Sequence, residues 1–165
     1  MRAIFLIMFM LVPLSTLAQS MKEMSNKDKI KYFFDKLSKD NMSLVDEFYH
    51  AQVDFVDPLG EIKGSEKIKA YYAGMYQNVK SIKFDFVEFH EAGNHVVAIW
   101  KMTLQTDKLN GGEPYSVDGN SVIKFDESGK AYYHRDYFDV GAFVYEKVPV
   151  LGYVIRKIKD RFKVE

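Results

Sequence analysis

The sequence contains no cysteine, which removes disulfide frameworks, thiolate metal sites and thiol nucleophiles at once. It lacks an excess of either charge: 23 lysines and arginines face 23 aspartates and glutamates. Nucleic-acid binders carry a basic surplus, so no nucleic-acid partner is expected. No glycine-rich phosphate loop and no serine nucleophile elbow occurs, so phosphoryl transfer and hydrolase-fold catalysis are not indicated. The histidines (His50, His90, His95 and His134) never fall at the helical spacing of a two-histidine metal site. Their nearest grouping, Glu88-Phe89-His90, offers one carboxylate and one imidazole, and neither a metal nor another cofactor is expected.

Long apolar runs are also missing, except at the amino terminus. Met1-Arg2 is a short positive start, Ala3 to Leu14 is almost unbroken apolar sequence, and Thr16-Leu17-Ala18 supplies the small residues a signal peptidase reads. The run is shorter than the roughly 20 residues of a membrane span. Residues 1–18 are therefore expected to be a cleaved signal peptide, and the protein to be exported to a periplasm or the exterior. A start at Met21 or Met24 would instead give a cytoplasmic protein.

What is present is material for one globular domain with a ring-lined interior. The 165 residues are 47% hydrophobic and 15% aromatic. Helices come first. Ser25 or Asn26 can cap a helix with Ile30, Phe33, Phe34 and Leu37 in one stripe, and Ser43 a short one with Leu44, Val45, Phe48 and Tyr49. A brief strand, Val53 to Val56, runs into the turn Asp57-Pro58-Leu59-Gly60. Gly64-Ser65-Glu66 opens a third helix carrying Ile68, Tyr71, Tyr72, Met75 and Val79.

The period then changes to two. Ile82, Phe84, Phe86 and Glu88 alternate with Lys83, Asp85, Val87 and Phe89; Val96–Leu104, Tyr115–Phe125 and Ala131–Asp139 follow. Gly93-Asn94, Asn110-Gly111-Gly112 and Ser128-Gly129 are hairpin turns, so these four strands form an antiparallel meander. Helices before strands, without strand–helix–strand alternation, give the α+β class, with a sheet that curls over the helices and leaves a concave face.

The tail, 142–165, stands apart from a domain at 25–141. Val150, Leu151, Val154, Ile155, Ile158 and Phe162 form a helical stripe, and Lys147, Arg156, Lys157, Lys159, Arg161 and Lys163 oppose it against a single acid, Asp160. Such a helix lies on its own sheet, on a partner subunit, or weakly on an anionic membrane surface.

Strand alternation selects the residues that can carry chemistry. Tyr132, His134, Asp136 and Phe138 fall on one face of the last strand, where a carboxylate two residues from an imidazole can orient it for acid–base work. Asp57 fits the turn as a backbone-capping residue. At the rim of an apolar cavity it would instead have a raised pKa and serve as a base.

Phe55-Val56-Asp57-Pro58-Leu59-Gly60, His134-Arg135-Asp136-Tyr137-Phe138-Asp139 and the order of elements resemble the SnoaL-like branch of the nuclear transport factor 2-like superfamily, over roughly residues 27–141. The resemblance implies a cone, a strongly curved antiparallel sheet wrapped on helices with a ligand pocket inside. The tail is similar to that of a ketosteroid isomerase-related subgroup. In ketosteroid isomerases the carboxylate at the Asp57 position is the general base. Their two acidic oxyanion-hole donors fall at Phe33 and Ser121, so that part of the pattern is missing. Limonene epoxide hydrolases place a catalytic aspartate at the Asp136 position, but their arginine and second aspartate align with Trp100 and Met102. SnoaL-type cyclases need only one carboxylate or a histidine–carboxylate set.

The resemblance thus implies Asp57, His134 and Asp136 as catalytic groups for an isomerase or cyclase acting without a cofactor. Phe33, Trp100, Met102 and Phe138 would be the walls around a small apolar ligand, with Asn120 or Ser121 as a hydrogen-bond donor. A homodimer is expected. The other reading is a non-catalytic ligand-binding or dimerisation module.

Overall fold

A computed structural model describes residues 21–163; the expected signal peptide lies outside the described residues. Helix α1 (Asn26–Lys36) starts at Ser25, whose Oγ accepts from the Asp28 N–H at 3.2 Å. Helix α2 (Leu44–Phe48) runs directly into β1 (Tyr49–Asp57), which turns back through β2 (Gly60–Lys63) into α3 (Ser65–Tyr76). Strands β3 (Val79–Ala92), β4 (His95–Thr106), β5 (Tyr115–Phe125) and β6 (Ala131–Phe138) are joined by hairpins. Gly93, with φ +59°, takes the left-handed backbone that the β3–β4 turn demands. Helices α4 (Val140–Phe143) and α5 (Pro149–Asp160) complete the described chain.

The six strands form one curved, unclosed sheet in the order β2-β1-β6-β5-β4-β3. The meander is antiparallel, but β1 pairs parallel with β6, so the sheet is mixed rather than antiparallel throughout. Hairpin signals govern strands adjacent in sequence, and they say nothing about the direction of a strand arriving from the helical half. The first strand also starts earlier than Val53, and β2 follows a turn too short to look like a separate strand in the sequence.

Two of the register shifts in the sheet change the face that an expected residue takes. In β3 the register shifts between Phe86 and Glu88, which leaves Val87 bulged and exposed, turns Glu88 outward and puts Phe89 on the inner face in its place. Between β5 and β6, Ala131 pairs with Phe125 and Tyr133 with Lys124, so Tyr132 is the extra residue. It is 40% exposed and does not share the inner face with His134.

The helices fill the hollow of the sheet with rings. Phe33 of α1 is fully buried and stacks on Phe48 at 4.3 Å between centroids, with Tyr49 edge-on at 5.4 Å. Each such pair adds about 0.5–1.5 kcal/mol beyond the area it buries. Lys29, also buried, crosses to the β5–β6 turn and donates to the Gly129 carbonyl at 2.9 Å, pinning α1 to the sheet.

On the sheet itself, Trp100 of β4 pairs with Gly119 of β5, and the indole ring occupies the place a side chain at 119 would take. Gly119→Ala is expected to push the indole aside and cost about 1–3 kcal/mol. Trp100 is the sole tryptophan, so its fluorescence reports both the displacement and the loss of stability in urea.

Candidate functional site

One end of the cone keeps a narrow cavity of about 60 Å³. That is room for a few waters or a ligand of a few heavy atoms, and small against the roughly 300 Å³ of the smallest drug-sized pockets. Its walls are Phe34 of α1, Tyr71, Tyr72, Met75 and Tyr76 of α3, Ile82 and Phe84 of β3, and Trp100 and Met102 of β4. Phe138 and Phe143 close it from the other side. Polarity enters through Asp57, Ser121 and Asp136, together with the phenol groups.

The parallel pairing of β1 with β6 brings the two carboxylates together. Phe55 is the register partner of His134, and both side chains face inward. Two residues further along each strand, on the same face, come Asp57 and Asp136. With β1 antiparallel, the two would have stood at opposite ends of the pair.

Hydrogen bonds around Asp136 converge on one oxygen. Ser121, its register partner on β5, donates to Oδ1 at 2.5 Å, while the Trp100 indole N–H donates to Ser121 Oγ at 2.9 Å. On the other side, His134 Nε2 lies 2.9 Å from the same Oδ1. An ionised carboxylate only accepts, so Nε2 carries a proton and Nδ1 of a neutral ring is the acceptor. At 2.6 Å from Nδ1 stands the Tyr49 hydroxyl, itself 3.2 Å from that of Tyr72. A continuous relay therefore runs Tyr72–Tyr49–His134–Asp136. Among the described residues no donor reaches Asp136 Oδ2.

Asp57 is held differently. Its Oδ1 accepts the N–H groups of Leu59 at 2.7 Å and Gly60 at 2.9 Å, the turn-capping arrangement, and its Oδ2 accepts the Tyr71 hydroxyl at 2.6 Å. Three donors thus fix the carboxylate in place. Burial, the Asp57 hydrogen bond and the Asp57 and Asp136 charges together push the Tyr71 phenol well above its ordinary value. Burial is also the largest cause at Tyr49 and Tyr72, both raised, and at Tyr76, pushed up to about 12.

The remaining sequence candidates separate by position. Trp100, Met102, Ser121 and Phe138 line the cavity. Phe33 does not: it sits a layer deeper, packed on Phe48, Tyr49 and Tyr72. Asn120 points the other way, because Ser121 takes the inner face and strand neighbours alternate. His134 is fully buried and reaches the cavity only through Asp136. Three tyrosines are polar groups that the apolar pattern of the sequence conceals. Tyr49, Tyr71 and Tyr72 read as apolar stripe residues, although a buried phenol needs a partner for its hydroxyl and that need was the available signal. Among the described residues no three histidines or acids gather closely enough to hold a metal ion.

A curved sheet wrapped on three helices, with a ring-lined hollow at one end, is the nuclear transport factor 2-like fold. Residues 30–134 match the family model for the SnoaL-like domain, and the chain belongs to that family. Its solved neighbours include TerC co-crystallised with polyporic acid, 22% identical, with a TM-score of 0.61 over 72% of this chain and 94% of that one. A putative SnoaL-like polyketide cyclase from Shewanella putrefaciens is 18% identical, with a TM-score of 0.63 over 78% and 99%. A protein with a ketosteroid isomerase-like fold from Catenulispora acidiphila, in complex with trimethylamine, is 14% identical, with a TM-score of 0.64 over 74% and 93%. At such identities the likeness shows the fold alone. No curated protein matches the chain.

Proposed function

We propose that the cone binds a small apolar molecule carrying one polar group, and that Asp136 exchanges a proton with it, as in isomerisation or cyclisation next to a carbonyl. The observation that carries this reading is the asymmetry of Asp136, whose Oδ1 holds the ends of two hydrogen-bond chains while Oδ2 has no donor among the described residues. His134, backed by Tyr49 and Tyr72, fixes the carboxylate and can compensate its changes in charge. Asp57 with Tyr71 then orients the ligand, both of its carboxylate oxygens being already engaged by protein donors. The small molecules crystallised with two neighbours, polyporic acid and trimethylamine, support a ligand in the cone.

The test is exchange of carbon-bound hydrogen for deuterium in small carbonyl compounds, chosen by mass spectrometry of what co-purifies and followed by NMR in heavy water. Asp136→Asn is expected to slow exchange roughly 100- to 10,000-fold while the compound still binds, whereas Asp57→Asn mainly weakens binding. Unchanged exchange in Asp136→Asn overturns the assignment. The narrowness of the cavity favours a second reading, binding without turnover; a bound carbonyl compound that never exchanges would select it.

A further inference from the structure

Helix α5 docks on the segment before it through Gly152 and the polar residues beside it. Gly152 is its buried residue, set so closely against the Glu146 carbonyl that a β-carbon would collide. Arg156 Nη1 donates to that carbonyl at 3.3 Å, and Lys159 bridges the Glu146 and Asp139 carboxylates. With residues about 100° apart, Gly152, Arg156 and Lys159 define one side of the helix. Leu151, Val154 and Ile158 define an apolar stripe turned roughly 130° from it, joined by Phe162 in the turn that follows. These four apolar side chains are 43–80% exposed, and the helix packs chiefly on the segment before it.

We infer that this outward face of α5 seats on an anionic lipid bilayer surface. Charge chooses the occupant. From Pro149 to Lys163 there are five basic residues and one acid, in a chain whose 23 basic and 23 acidic residues balance overall. Lys157 and Arg161 flank the apolar stripe, and neither forms an ion pair among the described residues. A second copy of the helix laid on the same stripe would bring like charges together, whereas anionic headgroups neutralise them. No described helix is long and apolar enough to cross a membrane, and α5 spans only about 18 Å, so it lies in the interface plane.

The test is flotation of the full chain with phosphatidylcholine vesicles, with and without about a third phosphatidylglycerol. Binding is expected only with the anionic lipid and is weakened by salt. Lys157→Ala with Arg161→Ala lowers the partition roughly twentyfold, and Ile158→Glu abolishes it, with circular dichroism unchanged. Equal binding to neutral vesicles overturns the inference, as does binding that survives these variants, which would place the contact elsewhere in the chain. No binding at all, or a dimer in gel filtration that Ile158→Glu dissociates, also overturns it, the dimer by making a second copy the occupant.

Discussion

Replacing His134 by alanine is expected to lower stability by roughly 3–5 kcal/mol. Two costs add. The first is volume: the imidazole is fully buried, stacked on Tyr49 at 5.9 Å and edge-on to Phe55 at 5.1 Å, so its removal leaves a hole that neighbouring strands cannot close. The second is polar: Tyr49 loses its 2.6 Å partner, and Asp136 loses one of the two donors on Oδ1. His134→Leu refills the hole without restoring the donors, so the difference between the two variants measures the polar share. Urea unfolding followed by Trp100 fluorescence reads both. A loss below about 1 kcal/mol for alanine would mean that the relay is not what holds this end of the cone.

Alkaline unfolding is the second large effect. Tyr49, Tyr71, Tyr72 and Tyr76 all have raised pKa values, burial being the first cause in each, and Tyr76 is pushed up to about 12. An unfolded tyrosine ionises near 10. Above that pH the unfolded chain releases protons that the folded protein retains. The stability these phenols protect is therefore whole below about pH 10 and drains as pH climbs through 12. Tyr76 alone accounts for about 2–3 kcal/mol of that loss, against a typical total of roughly 5–15 kcal/mol for a domain. Phenolate absorbance is expected to rise in two stages: exposed tyrosines first, then these four and Tyr115, also raised by burial, in step with loss of the circular dichroism signal. Tyr76→Phe should move the second stage to higher pH. A smooth titration of every tyrosine in a still-folded protein would contradict these environments.

Much of the architecture was legible because it is written in local patterns. The three hairpin turns and the apolar stripe of α1 needed only neighbours in sequence, and the third helix was set well enough by its opening residues, although Val79 belongs to β3. What failed was everything decided at a distance. The parallel seating of β1 on β6 depends on where the helical half delivers its strand, yet that seating places Asp57 beside Asp136. Bulges at Val87 and Tyr132 each flip the alternation once, and a strict period of two has no term for an inserted residue. The candidate site was legible as a His–Asp pair on a strand, but not as a relay. Its further members are tyrosine hydroxyls, which hydropathy counts as apolar and burial turns into hydrogen-bonding groups. The tail showed an amphipathic helix, and only the close packing at Gly152 shows which side faces in.

The bulge in β3 bears on how an open sheet avoids growing at its edge. An open sheet has two margins, and the one at β2 is only four residues long. The other, β3, offers fourteen residues of backbone that a stray strand could lengthen into a fibril. Val87, bulged near the middle, breaks that template into two shorter pieces and twists them out of line. Lys80, Lys83 and Asp85 surround the first piece with charge, Glu88 and Glu91 the second. A kink that looks like an irregularity in the ladder thus insulates the rim against growth.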